Sequence, residues 1–289
     1  MTKEELDKLI QARFETLPPK LQKAARYVLD APSEIALHSM RTVAGNAGLQ
    51  PATMLRFARE LNFDNYGDFR SVYMDWLSGQ NKTFYKRAAD LRQRSAATDK
   101  TGLLSEIFLA ETSNLDETFG PKNAKAFKEA QAILEQAEQI YIFGQRSLFP
   151  AAYYLQYACA LFTGNTTLLT GIGGTFADEL RRIGTNDVLV AFSFHPYALS
   201  SISTIEFGRK RGAKVIAITD SPVSPVASGN AVTLLAPTTS PSLFPSVLPA
   251  LAIAQTFAAL MIASGGEERL EEIANSEAQL RHFNIFKEK

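Results

Sequence analysis

The chain has 289 residues, with 30 Lys and Arg against 30 Asp and Glu, 46% hydrophobic and 21% charged, the composition of a globular protein with room for two domains and not of a disordered tail. One cysteine, Cys159, excludes an intramolecular disulfide and a cysteine-rich zinc site, and three scattered histidines form no metal constellation, so neither metal nor cofactor is expected. The opening MTKEELDKLI is acidic with no apolar signal core, and the apolar run Leu248 to Ala263 contains Gln255 and Thr256 and is short for a bilayer; a cytoplasmic chain with no membrane partner is expected.

In chain order, Leu6, Ile10 and Phe14 fall at i, i+4 and i+8 on a first helix within residues 3–16, broken at Leu17-Pro18-Pro19. Residues 20–30 place Leu21, Ala24, Ala25, Val28 and Leu29 on one face of a second helix, which ends before Pro32. Ser39 is suited to cap the next, whose inner face is Val43, Ala44 and Ala47. Gly48 can supply the positive φ of a tight turn, Leu49 dips into the core, and Gln50-Pro51 reads as a cap with proline at the first helical position. Leu55, Ala58 and Leu61 then recur at helical spacing, which leaves Gln50, Ala52, Thr53, Arg56 and Arg59 largely on the opposite side. This is the form of a helix-turn-helix whose second helix enters the DNA major groove. Gln50, Thr53 and Arg56 are expected toward base edges, with Ala52 on the same face, and Ser39, Arg41, Arg59 and Tyr66 on phosphates. Residues 1–100 carry a net charge of roughly +4, in keeping with a double-stranded operator DNA partner. Phe63, Tyr66 and Phe69 form an aromatic tail expected to pack under the bundle.

The run LPPKLQKAARYVLDAPSEIALHSMRTVAGNAGLQPATMLRFARELNFDNYGDFR resembles the head of RpiR-type bacterial transcription regulators, through its TxxRFAxxL core followed by F.xY. The resemblance covers most of residues 15–75. Gln50 stands where that family commonly has serine, and Asn62 and Asn65 where it commonly has glycine.

Residues 76–120 are helical in pattern. Lys82, Lys86, Arg87, Arg92 and Arg94 make the first part basic, either a strip along phosphates or a solvated linker face. Leu103, Leu104, Ile107, Phe108, Leu115 and Phe119 read as a packed helix, and Phe127, Ile133 and Leu134 begin another. From Gln139 short apolar strands alternate with helices: strands at 140–143, 166–169, 187–192, 214–218 and 231–235, and helices at about 149–161, 178–182, 202–211 and 247–263. That alternation implies right-handed βαβ units and a parallel five-stranded sheet, with the ligand crevice beyond the carboxyl ends of its strands. A last charged helix, 267–286, carries Leu270, Ile273, Ala274, Leu280 and Phe283 as an apolar stripe.

Three strand ends carry polar residues: Gly144-Gln145-Arg146-Ser147, then Ser193 with His195, Tyr197, Ser200 and Ser201, then Asp220 with Ser221. Hydroxyls and helix N-termini converging there would suit an anion, and Ser242 in the Ser240–Ser246 loop would close over it. The run DVLVAFSF to GRKRGAKVIAITD is similar to a sugar isomerase (SIS) domain over about residues 125–262, which implies a phosphosugar effector. It departs from the family's two phosphate loops, with Arg146 and Leu148 in the first and His195, Pro196 and Ala198 in the second, where Arg146 and His195 can offer charge or N–H donors instead.

The expected organisation is therefore α plus α/β: a helix-turn-helix DNA-binding domain at 1–80, a helical linker at 81–120 and a doubly wound SIS domain at 121–289 for effector binding and oligomerisation. The leading reading is a regulator that senses a small anion, a phosphosugar before a non-sugar carboxylate, and acts as a homodimer or homotetramer with no catalytic residue. An isomerase with an accessory head is the rival; it needs a base over the crevice, for which His195 and Glu179 are the nearest candidates. A third reading takes the N-terminal helices as a docking bundle for something other than DNA.

Overall fold

A computed structural model describes residues 1–80, 84–97, 100–222, 224–227 and 229–286. The chain divides into two compact units, Met1–Arg87 and Ala88–Lys289.

The first unit is helical: α1 Lys3–Arg13, α2 Pro19–Asp30, α3 Pro32–Leu37, α4 Met40–Asn46, α5 Pro51–Glu60 and α6 Tyr66–Gln80. Prolines at the first positions of α2, α3 and α5 cost nothing there, because those N–H groups have no helical partner. α3 is the helix that periodicity did not show. It has six residues, and its Pro32 reads as the end of α2 although it also begins a new turn. Leu6, Ile10, Val28, Val43, Met54, Phe57 and Leu61 fill the core around Phe69, whose ring meets Phe57 and Phe63 edge-on at 5.9 and 5.6 Å and Tyr73 at 5.2 Å. The inner stripe of α5 is Met54, Phe57 and Ala58 leading to Leu61. Leu55, expected at its centre, is only half-buried, so the helix is turned by about one residue from the sequence expectation.

The second unit begins with helices. α7 Phe84–Ala97 spans the division between the units, α8 is Lys100–Thr118 and α9 is Pro121–Glu135. Lys82 and the side chain of Arg94, in the basic stretch, lie outside the described residues. Of the expected linker, α8 is a helix packed on α9 and on the sheet domain's later helix, and so forms part of the second unit. Its apolar residues are not buried as expected: Leu104 and Phe108 are exposed, as is Phe119 just beyond its end, and Asn114 and Thr118 take the inner face.

The sheet follows as β1 Ile140–Gly144, α10 Phe149–Cys159, β2 Thr166–Leu168, α11 Phe176–Glu179, β3 Val188–Ser193, α12 Leu199–Lys210, β4 Lys214–Thr219, β5 Val232–Leu235, α13 Leu248–Ala263 and α14 Glu267–His282. All four pairings are parallel, in the order β2-β1-β3-β4-β5. Because strand side chains alternate, the inner strands β1, β3 and β4 feed two cores. Ile140, Ile142, Val190, Phe192, Ile216 and Ile218 meet Leu155 of α10 and Phe257 of α13 on one face. Tyr141, Phe143, Leu189, Ala191 and Val215 meet Ile205 of α12 on the other. The stripe of α14 is mostly uncovered, with Leu270 and Phe283 exposed and Ile273 against the core. Among the described residues no single helix is long and apolar enough to cross a membrane.

Candidate functional site

Two surfaces gather the expected residues, one in each unit. In the first, α4 and α5 meet through a tight turn at Gly48, whose φ is 61°. The Lys23 ammonium donates to Gly48 O at 3.1 Å and fixes the turn, and a Cβ at Gly48 would stand 2.9 Å from that nitrogen. Ser39 caps α4, accepting from the Thr42 N–H at 3.3 Å, and its hydroxyl lies 3.0 Å from that of Thr42. Arg13 reaches the other end of α5 and donates to Glu60 O at 2.5 Å.

The turn leaves Gln50, Ala52, Arg56 and Arg59 exposed and Thr53 half-buried, with Ser39 and Arg41 exposed at the start of α4. Seven of the eight expected residues are therefore on the surface. Tyr66 is not. It is 7% exposed and its hydroxyl has no hydrogen-bond partner. Burial pushes that phenol up to about 12, with the nearby Arg70 opposing. Its ring packs on Phe69 instead of pointing to a phosphate. Asn62 takes a φ of 68°, which explains an asparagine where glycine is common, since its short polar side chain tolerates the left-handed region. Asn65 caps α6, accepting from the Asp68 N–H at 3.0 Å. Thr42, exposed beside Ser39, belongs to this face and was missed because nothing in its spacing marks it.

In the second unit strand order reverses between β1 and β3, the place where a sheet of this kind is expected to hold a ligand. Gly144 and Phe192 stand opposite each other at the carboxyl ends, as do Ser193 and Thr219. Gly144 is required, because a Cβ would come within 2.7 Å of Leu148 O and 3.0 Å of the Ala152 methyl. Gln145 receives the Ser200 hydroxyl, so the loop after β1 is tied to the first turn of α12. Arg146 and Ser147 are exposed, and Arg146 holds a φ of 54°. The expected free N–H groups at the start of α10 are reduced: the Phe149 N–H donates to Arg146 O, and Pro150 has none.

On the β3 side, Ser193 is buried, 3% exposed, and so is not on the surface where the sequence expects an effector contact. Asp220 organises the loop after β3, accepting from the His195 N–H at 3.3 Å and the Tyr197 hydroxyl at 2.9 Å. Burial, then the Asp220 charge, push the Tyr197 phenol well above its usual range, so it stays a donor. The His195 ring meets Tyr197 edge-on at 5.7 Å. The Thr219 hydroxyl pairs with Ser224 at 2.9 Å behind Asp220, and Ser221 is half-buried next in the chain. Ser201 is buried in α12, and Ser242 is exposed on the loop after β5. The structure thus joins Gln145 with Ser200, and His195 and Tyr197 with Asp220.

Glu179, one of two candidate bases, is committed elsewhere. Its carboxylate accepts from the Thr170 N–H at 2.8 Å, the Gly171 N–H at 3.2 Å, and the hydroxyls of Thr170 and Thr175. A carboxylate so saturated holds the loop after β2 and is poorly placed to take a proton.

Residues 133–263 match the SIS domain family. An uncharacterised HTH-type transcriptional regulator of Haemophilus influenzae is 21% identical over 220 residues, 75% of this chain and 74% of that one. The bifunctional protein glk of Burkholderia mallei is 26% identical over 212 residues, and the match spans 32% of its length. Among solved structures, the sugar isomerase domain of an RpiR transcription factor from Sphaerobacter thermophilus superposes with a TM-score of 0.57 at 22% identity, covering 61% of this chain and 98% of that one. The Vibrio vulnificus NanR protein complexed with ManNAc-6P has a TM-score of 0.53 at 18% identity and covers 98% of this chain and 100% of its own. A helical head with a helix-turn-helix in Met1–Arg87 is thus followed by a SIS domain at 133–263, and the chain shares its fold with the NanR structure.

Proposed function

We propose that this protein is a cytoplasmic DNA-binding transcription regulator whose SIS domain binds a small anionic metabolite, a phosphosugar in the first instance, and whose homo-oligomer changes its hold on an operator when that ligand binds. The observation that carries the reading is the outer face of α5, where Gln50, Arg56 and Arg59 stand exposed after the Gly48 turn with Arg41 exposed at the start of α4. Guanidinium groups in that position suit guanine edges and phosphates, and glutamine suits adenine. The names of the relatives agree: an HTH-type transcriptional regulator, and a NanR protein that holds ManNAc-6P.

The proposed DNA face comprises Ser39, Arg41, Gln50, Ala52, Thr53, Arg56 and Arg59. The proposed effector site comprises Gly144, Arg146, Ser147, Ser193, His195, Tyr197, Ser200, Asp220, Ser221 and Ser242. Within it the positive charge is Arg146 and the fixed negative charge is Asp220, so an anionic group belongs on the β1 side and ligand hydroxyls on the Asp220 side. Enrichment of duplexes from a random DNA pool by the full-length protein tests the first half, and recovery of no common sequence overturns it. Thermal shift against sugar phosphates and organic acids tests the second, because a ligand that binds only the native state raises its apparent stability. Arg146→Ala is expected to lose that shift while keeping its DNA sequence; an unchanged shift places the anion elsewhere.

A further inference from the structure

The C-terminal half of α8 buries an unusual set of residues. Glu111, Asn114 and Thr118 fall at i, i+3 and i+7 on one helical face. Asn114 and Thr118 are 2% and 0% exposed, whereas Leu104 and Phe108 on the same helix are 67% and 69% exposed. Polar groups in place of leucines are costly unless each is paired. Here the Thr118 hydroxyl donates to Asn114 O at 2.7 Å, and the Asn114 amide donates to Thr239 O at 2.7 Å. The Ser246 hydroxyl donates to Glu111 Oε2 at 2.5 Å, and the Asn114 amide lies 3.5 Å from the same oxygen.

These partners are the two ends of one loop. Thr239 lies near the start of the segment that follows β5 and Ser246 near its end, the Ser246 N–H donating to Thr238 O at 3.1 Å and its hydroxyl accepting from the Leu248 N–H at 3.2 Å at the start of α13. The strand end itself is held separately. The Asn123 amide donates to Leu235 O at 2.7 Å and accepts from the Leu235 N–H at 3.1 Å, so one side chain completes the edge of β5 as a neighbouring strand would. Beyond that fixed point, the loop of residues 238–246 is tied to α8 at both ends. Hydrogen bonds are directional, so a shift of the loop by an ångström or so breaks them. The loop leaves the same sheet edge as the loops after β1, β3 and β4, because all five strands are parallel.

We propose that Glu111 and Asn114 form a latch through which α8 reads the position of the 238–246 loop. Ligand drawing that loop over the crevice breaks or resets the latch and changes how α8 is held. α8 lies in the chain between α7 and α9 on the way from the head to the SIS sheet, so the latch supplies a two-state element that both halves can bias. This rests on the regulator reading and adds to it the element that carries the signal.

The test uses full-length protein and three variants. Glu111→Ala removes the acceptor, Ser246→Ala removes the donor from the loop side without touching α8, and Glu111→Gln keeps an acceptor oxygen at similar reach. Hydrogen exchange is expected to speed up about tenfold across 238–248 and the second half of α8 in both alanine variants, with strand amides unchanged and Glu111→Gln like wild type. Affinity for a duplex enriched by the wild type is expected to move by about tenfold in both alanine variants and stay within about twofold in Glu111→Gln. Unchanged exchange overturns the latch, and so does faster exchange with unchanged DNA affinity, which makes the bonds merely structural. If the wild type enriches no duplex, the regulator reading fails and the latch with it.

Discussion

Two phenols in the head, Tyr66 and Tyr73, are buried with hydroxyls that meet no partner. Each gives up hydration without a replacement bond, a cost of about 1–3 kcal/mol for such groups. Tyr66→Phe is therefore expected to leave the head as stable as before or more so, by up to about 1 kcal/mol in urea unfolding, and to leave DNA affinity unchanged. Weaker DNA binding in that variant would return the hydroxyl to the contact face. Burial raises Tyr66 to about 12 and pushes Tyr73 and Tyr197 up further. In the unfolded chain these phenols ionise near pH 10, so over about pH 10–12 the folded state binds more protons. Their contribution to stability is complete below pH 10 and is lost as pH rises through that window. Thermal unfolding should therefore fall steeply above pH 10, and Tyr66→Phe combined with Tyr73→Phe should blunt the fall in the head. At Gly144 an added methyl meets backbone at 2.7 Å. Gly144→Ala is expected to cost about 2–3 kcal/mol, checked by denaturant titration of the second unit's transition.

At the scale of elements, Asn123 replaces a sixth strand at the edge of β5. Asn123→Ala leaves both the N–H and the C=O of Leu235 without their side-chain partner, a loss of about 2–4 kcal/mol with faster amide exchange at 232–236. Protection equal to wild type would show that water substitutes for the amide. Such elements also mark what the sequence could reveal. The three inner strands were legible because each is a short run buried on both faces and bounded by a loop, as Val188–Ser193 illustrates, and the edge strands β2 and β5, only partly buried, as short runs bounded by loops. α5 was legible as a helix but not in its phase: with apolar residues at 54, 55, 57, 58 and 61, two overlapping stripes are possible, and packing against α2 and α6 selects the one with Met54 and Phe57. α8 misled because its inner face is polar: the group that makes Asn114 buriable lies far along the chain, at Thr239, and Thr118 is satisfied by donating back to Asn114 O. The strand ends that the site residues follow were legible in position. The pairing among those residues was not, because Asp220 reaches back 23 residues to Tyr197, a distance with no periodicity to betray it.

At the scale of the whole molecule, the single chain leaves a ladder of aromatic rings in solvent. Phe149, Tyr153 and Tyr157 on α10 are exposed and stack in succession at 6.2 Å. Rings on that scale are commonly covered in assemblies, which fits the homo-oligomer of the proposed function. Tyr153→Glu with Tyr157→Glu is expected to lower the solution mass to that of one chain without changing the helical content, and an unchanged mass would locate the subunit contact on another face. Whether the α5 face reads DNA is decided by titrating enriched and scrambled duplexes against wild type, Arg56→Ala and Arg59→Ala over a range of salt. The account predicts that Arg56→Ala loses about 1–3 kcal/mol on the enriched duplex and little on the scrambled one, while Arg59→Ala weakens both alike and lowers the salt slope by about one. Equal affinity of wild type and Arg56→Ala for the enriched duplex at every salt concentration would contradict it.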